Sequence, residues 1–399
     1  MTSLGTRTTP FHSRTAPLVR GHAWRRWAGY VVPAAYDLIH DLEYAAIRGT
    51  AALIDVTPLF KYRIRGAGAA ALLDRVVTRD VRRAKTGQVL YTPWCDPDGK
   101  VLDDGTVTRL GEDDFRLTSA HPNLRWLHQN AVGIDADIDD ESEAVAALSL
   151  QGPAAREILG SVADRDVSKL RFFRATQARL EGIPVTLTRT GYTGDLGYEI
   201  WVGNDRAEAL WDLLVAAGNP HGLLPTGLLA MDVARIEAGL LLIDVDYISA
   251  RLALIETQKS SPFELNLGWT VAKEKRPFVG QRALEAERNG GSSWAFRGLV
   301  VDWDSLEALY AEVGLPPQLP SAAWRTSTPI FDGGRQVGYA TSGCWSPLLK
   351  KYLALAHLGS VHAAPGTEVE IEVTIEHRRK RALATVTETP FFDPERKRA

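Results

Sequence analysis

Residues 189–202, RTGYTGDLGYEIWV, set how the rest of the chain is read. Residues 185–189 and 197–202 are runs that suit β-strands, and the glycine-rich 190–195 between them is their connection. Just beyond, Asp205 and Glu208 have the spacing of a capping box for a helix through Ala217. Working back, residues 145–150 read as a strand, 151–153 (Gln-Gly-Pro) as a turn and 154–162 as a helix. The same order occurs earlier. Phe60, Tyr62 and Ile64 alternate with Lys61, Arg63 and Arg65, which is a half-buried strand, and residues 66–77 (GAGAAALLDRVV) return to helical period. Two related halves are expected. Ahead of them, residues 38–48 have helical spacing, with Gly49 as the stop.

Between the halves, residues 91–120 read as short strands joined by turns at 96–99 and 111–114, an antiparallel sheet. The acidic run 133–143 (GIDADIDDESE) is expected to be a solvated loop or linker. Residues 305–328 carry Pro316, Pro317 and Pro320 with little periodicity. Residues 329–387, strand-rich and punctuated by glycine, predict a separate C-terminal β-domain.

Composition narrows the function. The 399 residues hold 46 Lys and Arg against 49 Asp and Glu, a formal net charge of −3, which disfavours a nucleic-acid or anionic-membrane binder. Cys95 and Cys344 are the only cysteines and lack metal-ligand or disulfide-framework spacing, which suits a reducing compartment. The first 36 residues contain no acid but include Arg7, Arg14, Arg20, Arg25 and Arg26, the composition either of a mitochondrial transit peptide or of a basic folded start. No apolar run of about 18 residues predicts a spanning helix, and a cytoplasmic location is expected. Phosphate-loop, serine-elbow, zincin and dinucleotide motifs are absent. His121 and His128 could share a helix face, but without a nearby acid or cysteine no metal is expected.

Two places could carry chemistry. Asp103 and Asp104 precede strand-like residues, and neighbours on a strand face opposite sides, so one carboxylate could enter a pocket while the other meets solvent; spacing alone favours the plainer reading, in which both finish a turn. In 190–197, glycines would let backbone approach a flat ligand, and the Glu199 carboxylate could accept hydrogen bonds from an aminopyrimidine-like edge; alone, the segment is a hairpin loop.

Seven ordered blocks, 28–56, 90–104, 148–155, 189–202, 225–239, 267–284 and 338–358, resemble the glycine cleavage T-protein, or aminomethyltransferase, family of tetrahydrofolate-dependent enzymes. The likeness starts near Thr9 and so leaves no room for a transit peptide. It implies an α+β, three-domain folate-binding ring: residues 1–55 and 140–265 as a discontinuous folate-binding α/β domain, 56–139 as a ferredoxin-like domain carrying the catalytic Asp, and 266–399 as a β-rich, barrel-like domain. It implies Asp104 as the catalytic carboxylate, with Asp103 as the second choice. Tyr91, Ser119, Tyr192 and Glu199 fall where relatives line the folate, Glu199 reading the pterin amino edge. Met231 stands where the family usually has an arginine, and residues 55–59 and 103–107 also depart from its pattern. A kept folate pocket with a changed donor pocket implies, first, a demethylase moving a methyl group from a small N-, S- or O-methylated donor to nitrogen 5 of tetrahydrofolate. Trp94, Trp126 and Trp345 could wall such a donor, although core packing is the better reading of each. The alternatives are a glycine-cleavage aminomethyltransferase acting on a lipoyl carrier protein, and a non-catalytic folate-binding protein. Arg235 and Glu237 read as a helix-surface pair or an interdomain link, outside the catalytic set.

Overall fold

The computed structural model describes residues 6–399; residues 1–5, the start of the first expected segment, lie outside the described residues. A five-stranded sheet has the order Val89–Cys95, Val101–Gly111, Asp114–Ser119, Phe60–Arg65, Asp137–Asp140. A six-stranded sheet runs Ala175–Leu180, Ile183–Thr188, Gly197–Gly203, Val145–Gln151, Ala51–Asp55, Leu223–Pro225. The two share a plan. In each, a strand, a left-handed glycine (Gly66, φ 105°; Gly152, φ 118°) and a helix (Ala69–Val76; Ala155–Val162) lead into a three-strand meander. The last meander strand returns antiparallel to the first strand. At Gly152 a Cβ would meet the Thr50 carbonyl oxygen at 2.6 Å, so the turn needs glycine for space as well as for φ.

The C-terminal strands close into a six-stranded barrel ordered Trp294–Val301, Lys351–Gly359, Arg335–Ser346, Thr328–Asp332, Glu368–Ile375, Arg378–Thr387. The barrel thus recruits a strand upstream of the expected start at 329. The stretch 305–328 is not wholly aperiodic: it enters the helix Trp303–Ala311, capped where Asp302 accepts from the Ser305 amide at 2.7 Å.

Other differences have local causes. The acidic run is a loop only in part, since within it Asp137–Asp140 pairs antiparallel with Phe60–Arg65 as an edge strand, and Asp139 meets Arg65 at 2.5 Å. Charges on such an edge also discourage further pairing. Lys61, expected in solvent, is fully buried; its Nζ donates to the Thr57 and Ser142 carbonyls, and burial pushes the ammonium down to about 8. Neither Asp205 nor Glu208 caps the helix Ala207–Gly218, which is entered through the 3-10 turn Asn204–Arg206. The basic start is folded: Arg7–Thr8 pairs with the strand Tyr30–Pro33, and Arg14 bonds Asp212 at 2.8 Å. Among the described residues no helix is long and apolar enough to cross a membrane.

The helix Leu228–Glu237 carries buried charges that join these layers. Glu237 accepts from Arg48 Nη2 at 2.6 Å, from Tyr44 of the helix Asp41–Gly49 and from Ser346 of the barrel. Arg48 also bonds the Thr193 carbonyl at 2.9 Å, and Arg396 grips Asp195 at 2.6 Å. Both Arg235 and Glu237 are fully buried and not a surface pair, and Glu237 ties its helix to the barrel strand through Ser346. Removing one partner of a buried pair costs about 3–5 kcal/mol. Glu237→Ala is expected to lose that much, read as a fall in the urea midpoint; an unchanged midpoint would show that the link contributes nothing.

Candidate active site

Both acids of the pair lie on the strand Val101–Gly111, on opposite faces, and neither simply meets solvent. Asp103 is fully buried. It accepts from the amides of Asp104 (2.8 Å) and His121 (3.0 Å) and from Asn123 Nδ2 (2.8 Å), which holds the turn at 121–123. Burial and the neighbouring Asp104 charge raise it to about 7, against the pull of those N–H groups. Asp104 is partly exposed. Its Oδ2 accepts from the Tyr91 hydroxyl at 2.8 Å and its Oδ1 from the Tyr247 hydroxyl. Burial raises the Asp104 carboxyl, while the Tyr247 and Tyr91 hydroxyls and the charge of His121 oppose the rise. The accessible acid is thus Asp104, and Asp103 is structural.

Tyr247 had no local signal, because it stands 143 residues from its partner. It arrives on the loop after the helix Leu228–Glu237. The same loop offers the Leu241 carbonyl to the Tyr192 hydroxyl, and Asp244, whose Oδ2 lies 2.7 Å from His121 Nε2. The acid that the sequence did not place beside His121 is therefore present, but His121 sits in a turn before the helix Leu124–Asn130 and shares no helix face with His128. Among the described residues no three His, Cys, Asp or Glu side chains gather as metal ligands.

Tyr91 stacks on Trp269, with ring centroids 6.3 Å apart and planes 28° apart; Trp269 is 63% exposed, and the Arg79 guanidinium lies 5.4 Å from its ring centroid. Glu199 accepts from Thr190 at 2.7 Å and Thr188 at 3.3 Å, both through Oε2, which leaves Oε1 for a donor outside the protein. Burial raises its carboxyl against those two hydroxyls. The open Glu199 oxygen can accept from an amino group of a bound molecule, and the partly exposed Asp104 can take a proton. The glycines serve a different end: a Cβ at Gly191 or Gly197 would meet the Gln151 side chain at 2.2 Å, and one at Gly194 would meet the Ala238 Cβ at 2.4 Å. They admit protein atoms, not a ligand.

The remaining expected residues divide. Tyr192 is half-buried with its hydroxyl spent on Leu241. Ser119 is 1% exposed and donates to the His121 carbonyl at 2.8 Å, so its hydroxyl holds the turn and does not face open space. Met231, Trp27 and Leu59 pack against the core group Ile54, Val56, Ala147 and Trp201, an apolar patch where the resemblance implied a cation. Trp94 is fully buried and donates to Asn123 Oδ1 at 3.2 Å, Trp126 lies under Arg251, and Trp345 packs on Trp303 beside the barrel. Trp94 thus belongs to the core, while Trp126 and Trp345 are only partly buried.

A hydrogen bond to a charged group is worth about 1.5–3 kcal/mol. Tyr247→Phe removes one that favours the Asp104 carboxylate, so the acid limb of the pH–rate profile is expected to move to higher pH. An unmoved limb would exclude Asp104 as the group that titrates. Asp103 carries a stability signature of its own. Its folded value, about 7, exceeds the ordinary value of 3.8, so the folded state holds the proton more tightly and the contribution is full below about pH 4 and declines as pH rises to about 7. Urea titrations across that window should show this decline in the parent chain and not in Asp103→Asn.

Two family models match the chain, "GCVT N-terminal domain" over residues 12–275 and "Glycine cleavage T-protein C-terminal barrel domain" over residues 312–393. The aminomethyltransferase of Halothermothrix orenii is 33% identical over 381 residues, 94% of this chain and 96% of the relative. That of Bacillus mycoides is 34% identical over 372 residues, 92% and 93% of the two chains. The crystal structure of glycine cleavage system aminomethyltransferase T from Bartonella henselae aligns with a TM-score of 0.82 at 26% identity, over 98% of this chain and 99% of that one. With the Asp104 sheet and the barrel both inside these matches, the chain belongs to the glycine cleavage T-protein family of transferases.

Proposed function

We propose that the protein is a tetrahydrofolate-dependent aminomethyltransferase that receives an aminomethyl group from a lipoyl carrier protein and releases ammonia. The observation that carries this reading is the end-to-end likeness to aminomethyltransferases, 33% identity over 94% of the chain. The sequence read alone put methyl transfer first; this kinship reverses the order. Tetrahydrofolate would supply the nucleophilic nitrogen that accepts the carbon. Glu199 Oε1 binds the amino edge of the pterin, and the Tyr91 hydroxyl, bonded to Asp104, marks the other end of the site. Asp104 stands as an anion next to the reacting centre, held ionised and aimed by Tyr91 and Tyr247, where it faces developing positive charge and accepts a proton on a carboxylate oxygen. Asp103 positions the turn beneath it, which makes it a positioning residue and not a catalytic one.

A second reading, methyl transfer from a small methylated donor, is favoured by one feature. Met231 and Trp27 line an apolar patch one residue from Asp232, where a methylated group is better accommodated than at a cation.

Purified protein with tetrahydrofolate and an aminomethylated lipoyl carrier is expected to yield methylenetetrahydrofolate and ammonia, followed by mass and by an ammonia assay. Methyltetrahydrofolate formed only from small donors would replace the first reading with the second. Loss of a positioned acid–base group costs about 10²–10⁴-fold. Asp104→Asn should lose that much turnover while still binding folate, and full turnover would remove Asp104 from the mechanism.

A further inference from the structure

His121 stands beside the acid pair with its ring unused by the turn it belongs to. That turn is held through the backbone: the His121 amide donates to Asp103 Oδ2 at 3.0 Å, and its carbonyl accepts from Ser119 at 2.8 Å and from Asn123 Nδ2 at 3.0 Å. The ring reaches instead to the loop 239–249, where Nε2–H donates to Asp244 Oδ2 at 2.7 Å. Asp244 is in left-handed backbone, φ 66°, which is uncommon outside glycine, and its amide is tied to the Tyr247 carbonyl at 2.8 Å. One tight turn thus delivers a carboxylate to His121 and, three residues on, a phenol to Asp104.

A carboxylate on one ring nitrogen sets the orientation of the imidazole and supports a proton on it. The hydrogen bond to Asp244 raises His121 above its ordinary value; Asp103 adds to the rise, while burial and the charge of Arg251 oppose it. The other nitrogen, Nδ1, has no hydrogen-bond partner among the described residues, and the ring is 19% exposed. A cation with one nitrogen bonded and one open can give a proton away. Its location fits that task. The amides of His121 and Asp104 both bond the single Asp103 carboxylate, and the imidazolium charge reaches Asp104, where it favours the anion. An acid and a base, each favouring the charge of the other, therefore stand side by side.

We propose that His121, backed by Asp244, is the general acid that protonates the group leaving the transferred carbon, while Asp104 takes a proton from the attacking folate nitrogen. The inference rests on the aminomethyl reading above. The step balances without an oxidant. The methylene carbon bonds to two folate nitrogens as its bonds to nitrogen and sulfur of the carrier break, each with its electron pair left on the departing atom. Two protons leave the folate nitrogens and two arrive, one making ammonia and one making the carrier thiol. Asp104 accepts one, His121 gives one, and water returns both groups to their starting states. A sulfonium methyl donor departs as a neutral sulfide and needs no such acid.

The test uses the full chain with tetrahydrofolate and an aminomethylated lipoyl carrier, with methylenetetrahydrofolate read by mass. His121→Gln and His121→Ala are expected to lose about 10²–10⁴-fold in kcat with an unchanged KM for tetrahydrofolate. Added imidazole should restore part of the loss in His121→Ala. The fall of kcat at high pH should vanish in both variants and move to lower pH in Asp244→Asn. Variants that fold like the parent and keep its rate would overturn the acid, as would a lost rate with no imidazole rescue and an unmoved alkaline limb. Imidazole NMR of the parent gives an outcome independent of turnover: His121 should titrate above 6.5 and fall toward it in Asp244→Asn, and titration at or below 6.5 in the parent would also overturn the acid. If only small methylated donors give product, the aminomethyl reading falls. His121→Gln then slowing methyl ethers but not sulfonium donors keeps the acid, and equal slowing removes it.

Discussion

The contact between Arg235 and Asp246 is the one on which the site depends. Both are fully or almost fully buried, and a buried charge is tolerated when an opposite charge and hydrogen bonds meet it. Asp246 meets it by accepting from Thr341 at 2.6 Å and Ser342 at 2.8 Å on the barrel, and from its own loop through the Leu242 amide at 2.8 Å. Those demands fix the course of residues 239–249. That loop then delivers Tyr247 to Asp104, the Leu241 carbonyl to Tyr192 and Asp244 to His121. The geometry at Asp104 is therefore a consequence of an ion pair satisfied jointly by helix, loop and barrel.

Local pattern carried much of the fold. Alternation at Phe60, Tyr62 and Ile64 reports a strand because the buried face is set by residues two apart, and the two strand–turn–helix units were visible for the same reason. Where prediction failed, the deciding partner was distant. Residues 137–140 form a strand by pairing with Phe60–Arg65, where Ile138 stands opposite Ile64 and Asp139 meets Arg65, and Lys61 is buried because carbonyls at Thr57 and Ser142 receive it. Composition alone makes both regions look solvated.

The site was legible to a similar limit. The Asp-Asp pair and Glu199 stand out in sequence, but the roles of the two aspartates come from what surrounds each. Asp103 is enclosed by three N–H donors, an environment that secures a turn; Asp104 meets two phenols and keeps access to solvent. Likewise the three glycines of the loop signal close approach, yet what approaches is Gln151 and Ala238. A glycine reports that space is needed without reporting who fills it.

The position of the cations near Asp232 separates this chain from the pattern its family resemblance implied. A cation at position 231 would lie on the same helix as Arg235, four residues away, where like charges repel. Met231 avoids that repulsion and packs on the apolar patch, while Arg25 brings a guanidinium to Asp232 from the strand Trp24–Trp27. Charge and apolar surface then come from different elements, strand and helix, and lie side by side instead of competing for one position.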